Sequence, residues 1–113
     1  DPTWTWPHGA CLFVARDFFL RLGGFNERYF LYMEDVDFGK RLHDAGGRIV
    51  TLQCTLDHGR GKGSSIHRMR RLALLNMGRI RYASEVYGNM LALTLGLIAL
   101  PGFTVKGLLG MRK

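Results

Sequence analysis

Cysteine is scarce in this chain. Cys11 and Cys54 are its two cysteines among 113 residues, and neither belongs to a Cys-x-x-Cys pair or has a second pair of ligands nearby. The composition therefore argues against a disulfide framework and against a cysteine-based zinc site. Cys11 lies in the apolar run 10–15, where we expect a buried free thiol, and unbridged cysteines favour a reducing, cytoplasmic setting.

Acidic residues are scarce in the C-terminal half. Residues 58–113 contain ten basic residues and one acidic residue, whereas residues 1–57 contain six basic and eight acidic residues. Because the formal net charge of +7 comes from the second half, we expect a negatively charged partner to contact that half. An anionic membrane surface or an acidic protein would fit. No nucleic-acid-binding motif accompanies the charge, so we do not expect a nucleic-acid partner.

A long, uninterrupted membrane-spanning run is also missing. Residues 86–105 carry no charge, but Gly88, Asn89 and the pair Pro101-Gly102 cut the run short of the roughly 20 apolar residues that a spanning helix needs. We therefore predict a re-entrant or interfacial helix pair, whose flanking cations face lipid phosphates; these are Lys106, Arg112 and Lys113. The alternative is a helical hairpin packed on the domain or on a second copy of the chain.

The residues that are present suit one small α/β domain with a helical tail. The hydrophobic content of 47% is enough for a core. The apolar run 11–15 and the β-branched run 48–53 predict two strands. Residues 16–22 predict a short helix that Gly23 and Gly24 close. From Ile66 onward, apolar residues recur on one helical face and arginines on others, which predicts a basic amphipathic helix.

Three carboxylates, Glu34, Asp35 and Asp37, stand within four residues and follow an aromatic-rich stretch. The apolar spacing after them predicts a helix that begins at the acids and ends at Gly46-Gly47. Acids at a helix N-terminus are commonly caps, and Asp37 forms an i,i+4 pair with Arg41, so we expect it to be structural. The aromatic side chains would wall a cleft, and a carboxylate at its edge is a candidate general base.

The loop 59–65 is basic and rich in backbone and hydroxyl donors. Such a loop can wrap a diphosphate, with charge from Arg60 and Lys62 and hydrogen bonds from Ser64 or Ser65. It lacks the residue order of a P-loop, so we do not predict a nucleoside-triphosphatase. His58 precedes the loop and is either a metal ligand or a hydrogen-bonded structural residue.

Several short motifs follow one another along the first two-thirds of the chain. They are Trp6-Pro7-His8-Gly9-Ala10-Cys11-Leu12, Gly23-Gly24-Phe25-Asn26-Glu27, Phe30-Leu31-Tyr32-Met33-Glu34-Asp35-Val36-Asp37, Arg41-Leu42, Ala45-Gly46, and His58 followed by Gly63-Ser64-Ser65. Together they resemble the second half of a family 2 glycosyltransferase of the rhamnosyltransferase type. One departure is Asn26, where the family commonly has aspartate, and Asn can fill the same turn and capping roles.

The resemblance implies a fold and an activity. Residues 1–65 would form the acceptor-side half of a GT-A, Rossmann-like α/β catalytic domain, and residues 66–113 a helical, membrane-associated tail. The enzyme would transfer a sugar, with inversion, from a nucleotide-diphosphate-sugar donor to a glycan or lipid-linked acceptor. Such enzymes serve cell-wall or polysaccharide biosynthesis, and this one would lie at the cytoplasmic face of the cell membrane.

The resemblance also implies roles for particular residues. Asp35 would be the catalytic base, and Glu34 would orient the acceptor or tune Asp35. His58 would ligate a divalent metal, Mg²⁺ or Mn²⁺, whose main ligands are expected upstream. Trp6, Gly9 and Ala10 would contact donor or acceptor, although a turn before a core strand explains them equally well.

No acidic metal motif precedes Trp4. We therefore expect this chain to be a piece that lacks the nucleotide-binding half and is inactive alone. The alternative is a non-catalytic module that binds a membrane or a protein partner through the basic helical tail.

Overall fold

The computed structural model describes residues 5–53, 55–57 and 67–110. In the last of these ranges it describes the side chains as far as residue 99. Four helices lie in these ranges, namely α1 (Arg16–Arg21), α2 (Glu34–Asp44), α3 (Arg68–Tyr87) and α4 (Asn89–Gly110). The chain divides into two compact units, Asp1–Ser65 with α1 and α2, and Ile66–Lys113 with α3 and α4.

The first unit is built around three phenylalanine rings. Phe38 on α2 is fully buried, and its ring centroid lies 5.3 Å from that of Phe19 on α1 and 5.5 Å from that of Phe25. Phe19 and Phe25 meet edge to face, with centroids 5.3 Å apart. Such offset contacts are the favoured geometry for aromatic pairs. The cluster therefore joins α1, the following loop and α2 in one small core.

The turn after α1 has the conformation that its two glycines predict. Gly23 and Gly24 have φ values of 80° and 67°, in the left-handed region that glycine adopts without a Cβ penalty. Their amide groups donate to the carbonyl groups of Leu20 and Phe19, which closes the helix as expected. The predicted helix and its stop are confirmed.

Arg41 of α2 joins this turn to its own helix. Its Nε donates to Asp37 Oδ2 at 2.8 Å, the i,i+4 pair that the sequence predicts. Its guanidinium also donates to the backbone carbonyl oxygens of Leu22 and Gly24. Because the guanidinium carries five donors in a planar fork, one side chain can satisfy all three acceptors. The pair is therefore a structural clamp between α2 and the end of α1.

Gly39 lets the chain segment before α1 lie directly on α2. A Cβ atom added at Gly39 would lie 2.6 Å from Trp6 Cβ and 2.9 Å from Trp6 Cα. No side chain fits at this position unless the segment moves. Pro7 is buried beside it, whereas about half of the Trp6 surface stays exposed. Gly39 thus fixes the position of Trp6-Pro7 and of the turn that follows them.

The two predicted strands do not form among the described residues. Residues 11–15 and 48–53 have no regular secondary structure. Apart from Cys11 N–H donating to His8 O and Ala15 O accepting from Phe19 N–H of α1, neither run makes a backbone hydrogen bond to another described residue. A strand exists only when a neighbouring strand pairs with its backbone. The expected burial of Cys11 is wrong for the same reason, because the free thiol is exposed.

The second unit is an antiparallel helical hairpin. Gly88 alone separates α3 from α4, and Ser84 Oγ donates to Asn89 Oδ1 across the turn. Ala83 and Ala92 are buried, which lets the two helices approach closely. Within the described residues, no helix is long and apolar enough to cross a membrane.

Replacing Gly39 by alanine should destabilise the protein. Alanine favours a helix over glycine by about 1 kcal/mol, but overpacking against Trp6 should cost about 1–3 kcal/mol and oblige the Trp6-Pro7 segment to move. The matched control is Gly96→Ala in α4, where the added Cβ would lie 3.7 Å from Ile80 Cδ1, an ordinary contact. Thermal unfolding should show a lower midpoint for Gly39→Ala and an equal or higher one for Gly96→Ala. Equal gains at both positions would contradict the close contact.

Candidate functional site

A hydrogen bond joins two residues that the sequence singles out, Gly9 and Asp35. The backbone N–H of Gly9 donates to Asp35 Oδ2 at 2.9 Å, and the N–H of Val36 donates to Asp35 Oδ1 at 2.9 Å. The carboxylate is half-buried and is oriented by these two backbone donors. Because each carboxylate oxygen has a second lone pair, Asp35 can still accept a proton from another molecule.

The turn that presents Gly9 is closed by His8. The carbonyl oxygen of His8 accepts from the backbone N–H of Cys11 at 3.2 Å, and His8 Nδ1 accepts from Ala10 N–H at 3.4 Å. Neither bond uses the N–H of Gly9, which therefore remains available to donate to Asp35. A Cβ at Gly9 would lie 3.3 Å from Asp35 Oδ2, so a small residue is needed for this close approach.

The backbone that leads into α2 is strained. Tyr32 and Met33 have φ values of 68° and 74°, in the left-handed region that costs a residue other than glycine about 1–3 kcal/mol. Met33 occupies the N-cap position and offers no side-chain cap, unlike the Ser, Thr, Asp or Asn usually found there. Glu34 and Asp35 follow immediately as the first two residues of the helix. The strain therefore sets the direction in which both carboxylates leave the backbone.

Glu34 carries a perturbed carboxyl group beside Asp35. Burial raises its pKa above the ordinary value of 4.5, a hydrogen bond from its own backbone N–H partly opposes the increase, and the negative charge of Asp35 adds to it. Its Oε2 atom is buried and has no hydrogen-bond partner among the described residues. A half-buried carboxyl with an unused acceptor atom is a candidate for acid–base chemistry or for binding a hydroxyl group.

A surface cavity of about 510 Å³ begins at Gly9. It is lined by small and aliphatic residues, one arginine and two aromatic residues; these are Gly9, Ala10, Cys11, Leu12, Val14, Arg16, Phe19 and Phe25. Phe25 is the residue of the aromatic-rich stretch that lines it, whereas Tyr29 is buried and Phe30 is exposed. Asp35 is not in the lining and reaches its edge through the hydrogen bond to Gly9.

The other predicted site residues fall into two groups. Trp6 lies on α2 through its contact with Gly39, so its backbone has a packing role while much of its ring stays exposed. His58 and the loop residues Arg60, Lys62, Ser64 and Ser65 lie outside the described residues. In the part of the chain that is described, no three His, Cys, Asp or Glu side chains come together as a metal-binding group.

Two features of the site were not predicted from the sequence. The left-handed pair Tyr32-Met33 carries no glycine, asparagine or aspartate that would signal positive φ. The contact between Gly39 and Trp6 joins residues far apart in the chain, and its only local signal is a glycine inside a helix, which usually has a packing or functional reason.

Comparison with known proteins gives a short but close match. A stretch of 41 residues, 36% of the chain, is 61% identical to an N-acetylglucosaminyl-diphospho-decaprenol L-rhamnosyltransferase of Mycobacterium tuberculosis strain CDC 1551 / Oshkosh, and equally to the protein of that name from strain ATCC 25618 / H37Rv. The match spans 13% of the length of these relatives. No family model matches the chain, and no solved structure is significantly similar to it. Over this stretch, the chain is related to a glycosyltransferase.

Proposed function

We propose that this chain is part of a family 2 glycosyltransferase that transfers a sugar from a nucleotide-diphosphate-sugar to an acceptor hydroxyl with inversion. The observation that carries the proposal is the Asp35 carboxylate, which two backbone N–H groups orient beside the cavity at Gly9. The 61% identity to a rhamnosyltransferase over 41 residues supports the reaction class. From the activity for which that relative is named, we propose L-rhamnose as the sugar and a glycan on a diphospho-polyprenol as the acceptor.

In this proposal Asp35 is the general base. It removes the proton from the acceptor hydroxyl as the oxygen attacks the anomeric carbon, and the bond from that carbon to the diphosphate breaks on the opposite face. A base that takes part in the transition state contributes about 10²–10⁴-fold to the rate when it lies within hydrogen-bond reach of the proton. The bonds from Gly9 and Val36 hold the carboxylate in one orientation, which supports this role.

Glu34 is proposed to assist Asp35. With its raised pKa, this carboxyl holds its proton to a higher pH than an ordinary glutamate. In the protonated state it can donate a hydrogen bond to an acceptor oxygen, and in the ionised state it can accept one. Its buried Oε2 atom supports such a contact, because no described residue bonds to it. Glu34 would thus orient the acceptor while Asp35 moves the proton.

We further propose that residues 1–65 complete a GT-A, α/β domain whose other strands belong to a nucleotide-binding half outside this chain. Residues 11–15 and 48–53 support this fold, because they have strand-forming composition and exposed apolar side chains such as Phe13 and Val50, but no strand among the described residues pairs with them. A divalent metal would be held mainly by that other half. The described residues supply no ligand set for it.

An acceptor carried on a polyprenol places the reaction at a membrane. We therefore propose that the protein lies at the cytoplasmic face of the cell membrane, as a peripheral enzyme of cell-wall or polysaccharide biosynthesis. The ten basic residues of 58–113 support this location, because the cytoplasmic leaflet carries a negative surface potential.

Replacing Asp35 by asparagine should reduce turnover by about 10²–10⁴-fold, since the amide cannot take a proton at neutral pH. Asparagine keeps an oxygen for the Gly9 N–H, so the fold should remain. The assay is sugar transfer by the full-length enzyme. Asp44→Asn is the matched control, because this exposed residue on the same helix bonds to Lys40 and should leave turnover unchanged. Near-normal turnover of Asp35→Asn would refute its role as base.

The carboxyl group of Glu34 should titrate above pH 4.5. Its raised pKa means that the folded protein binds this proton more tightly than the unfolded chain. Protonated Glu34 therefore stabilises the folded protein fully below pH 4.5, and this contribution is lost as pH rises through the higher pKa of the folded state. Carboxyl-resolved NMR titration measures this pKa directly.

Removing the neighbouring charge with Asp35→Asn should lower the pKa of Glu34 only in part, because burial is the larger cause of its increase. Asp44→Asn again serves as the control and should leave the titration of Glu34 unchanged. If the Glu34 carboxyl of the unmodified protein titrates at or below pH 4.5, Glu34 does not assist Asp35 by retaining a proton.

A further inference from the structure

The apolar side chains of α4 are exposed on the side away from α3. Met90 is 80% exposed, Leu93 63%, Leu97 69% and Ile98 69%. At about 100° per residue these four fall within an arc of about 140°, opposite the buried Ala92, which marks the side that faces α3. A helix with so broad an exposed hydrophobic face needs an apolar environment on that face. Water covers these side chains only at a considerable free-energy cost.

The partner helix α3 is basic along its length. Arg68, Arg70, Arg79 and Arg81 are exposed, and one acidic residue, Glu85, lies on the same helix. Among the described residues, no ion pair is formed by Arg68, Arg70 or Arg79. A basic helix packed along an apolar one matches a surface that offers negative charge beside hydrocarbon.

The packing of the hairpin decides how α4 can enter such a surface. Residues of α3 and α4 meet in antiparallel order, with Ser84 opposite Asn89 and Ile80 opposite Gly96. If α4 crossed a bilayer, the middle of α3 would be carried into the hydrocarbon with it. Each arginine there would cost about 2.5–3.5 kcal/mol. An orientation in the plane of the interface avoids this cost, because arginine side chains can then reach the headgroups.

On α3, the four exposed arginines flank the side that faces α4. Arg79 and Arg81 adjoin Ile80 and so lie about 100° to either side of it, and Arg68 and Arg70, eleven residues earlier, fall about 20° from them. When the hairpin lies parallel to the membrane surface with α4 toward the acyl chains and α3 above it, both arginine pairs point sideways and can reach the phosphate layer. The arrangement therefore suits a helix pair lying in the interface, with α4 on the hydrocarbon side.

We propose that the α3–α4 hairpin docks on an anionic lipid bilayer, lying in the interface with the leucines of α4 in the acyl boundary and the arginines of α3 at the phosphate groups. The inference deepens the membrane location proposed above and rests on that proposal for the identity of the membrane. Lipid binding is measured without sugar transfer, so either proposal can fail while the other holds.

Flotation of the protein with vesicles tests the docking. We expect binding to vesicles that contain phosphatidylglycerol and much weaker binding to pure phosphatidylcholine. Changing Arg68, Arg70 and Arg79 together to glutamine should weaken partition into the anionic vesicles roughly a hundredfold, since each arginine near an anionic surface contributes about 1 kcal/mol. Leu93→Glu with Leu97→Glu should abolish binding to both kinds of vesicle.

Leu20→Glu is the matched control, because Leu20 is an exposed leucine of α1 in the other unit and should leave binding unchanged. Light scattering without lipid tests the alternative that a second copy of the chain covers the apolar face of α4. A stable dimer that Leu93→Glu with Leu97→Glu dissociates, in a protein that does not float with anionic vesicles, would overturn the proposal.

The orientation of α4 has its own measurement. Spin labels at Met90→Cys, Leu93→Cys and Leu97→Cys, in protein with Cys11→Ser and Cys54→Ser, report immersion depth through their relative exposure to oxygen and to a water-soluble relaxation agent. A helix in the interface plane predicts similar depths at the three positions. A depth that increases steadily from residue 90 to residue 97 would show that α4 enters the bilayer end-on and would overturn the in-plane arrangement.

Discussion

The hydrogen bond from Gly9 N–H to Asp35 Oδ2 is the contact on which the candidate site depends. It connects a turn near the start of the chain to the first turn of α2, and it links the predicted base to Gly9 in the cavity wall. Both ends are held independently. The Trp6-Pro7 contact with Gly39 positions the turn, and the strained Tyr32-Met33 pair positions the carboxylate.

The same residues explain why this small unit can store backbone strain. Left-handed Tyr32 and Met33 would relax if α2 could shift, but Arg41 ties α2 to the carbonyl oxygens at the end of α1. Phe38 anchors the helix in the aromatic core on the same side. Packing thus holds the first turn of α2 in place, and the acids need not act as caps to keep the helix formed. Their side chains remain available for binding a substrate.

Helices and their ends could be predicted from the sequence because their signals are local. Gly23-Gly24 close the helix that directly precedes them, and the ion pair between Asp37 and Arg41 joins residues one helical turn apart. Gly9 and Asp35 were each predicted as site residues, but the contact between them was not. Their separation of 26 positions leaves no periodic signal in the sequence. Strand patterns at 11–15 and 48–53 failed to predict local structure, since pairing depends on residues elsewhere.

The two units expose apolar surface of different kinds, and the difference indicates what can cover each. Around Phe13 and Val50 the backbone amides and carbonyls lack partners among the described residues, so a cover must supply hydrogen bonds as well as apolar contact. Another polypeptide strand does so, whereas lipid does not. Around Leu93 and Leu97 the helix already satisfies its own backbone, so hydrocarbon alone suffices. The exposed surface of the first unit therefore needs another polypeptide to cover it, whereas a membrane can cover that of the second.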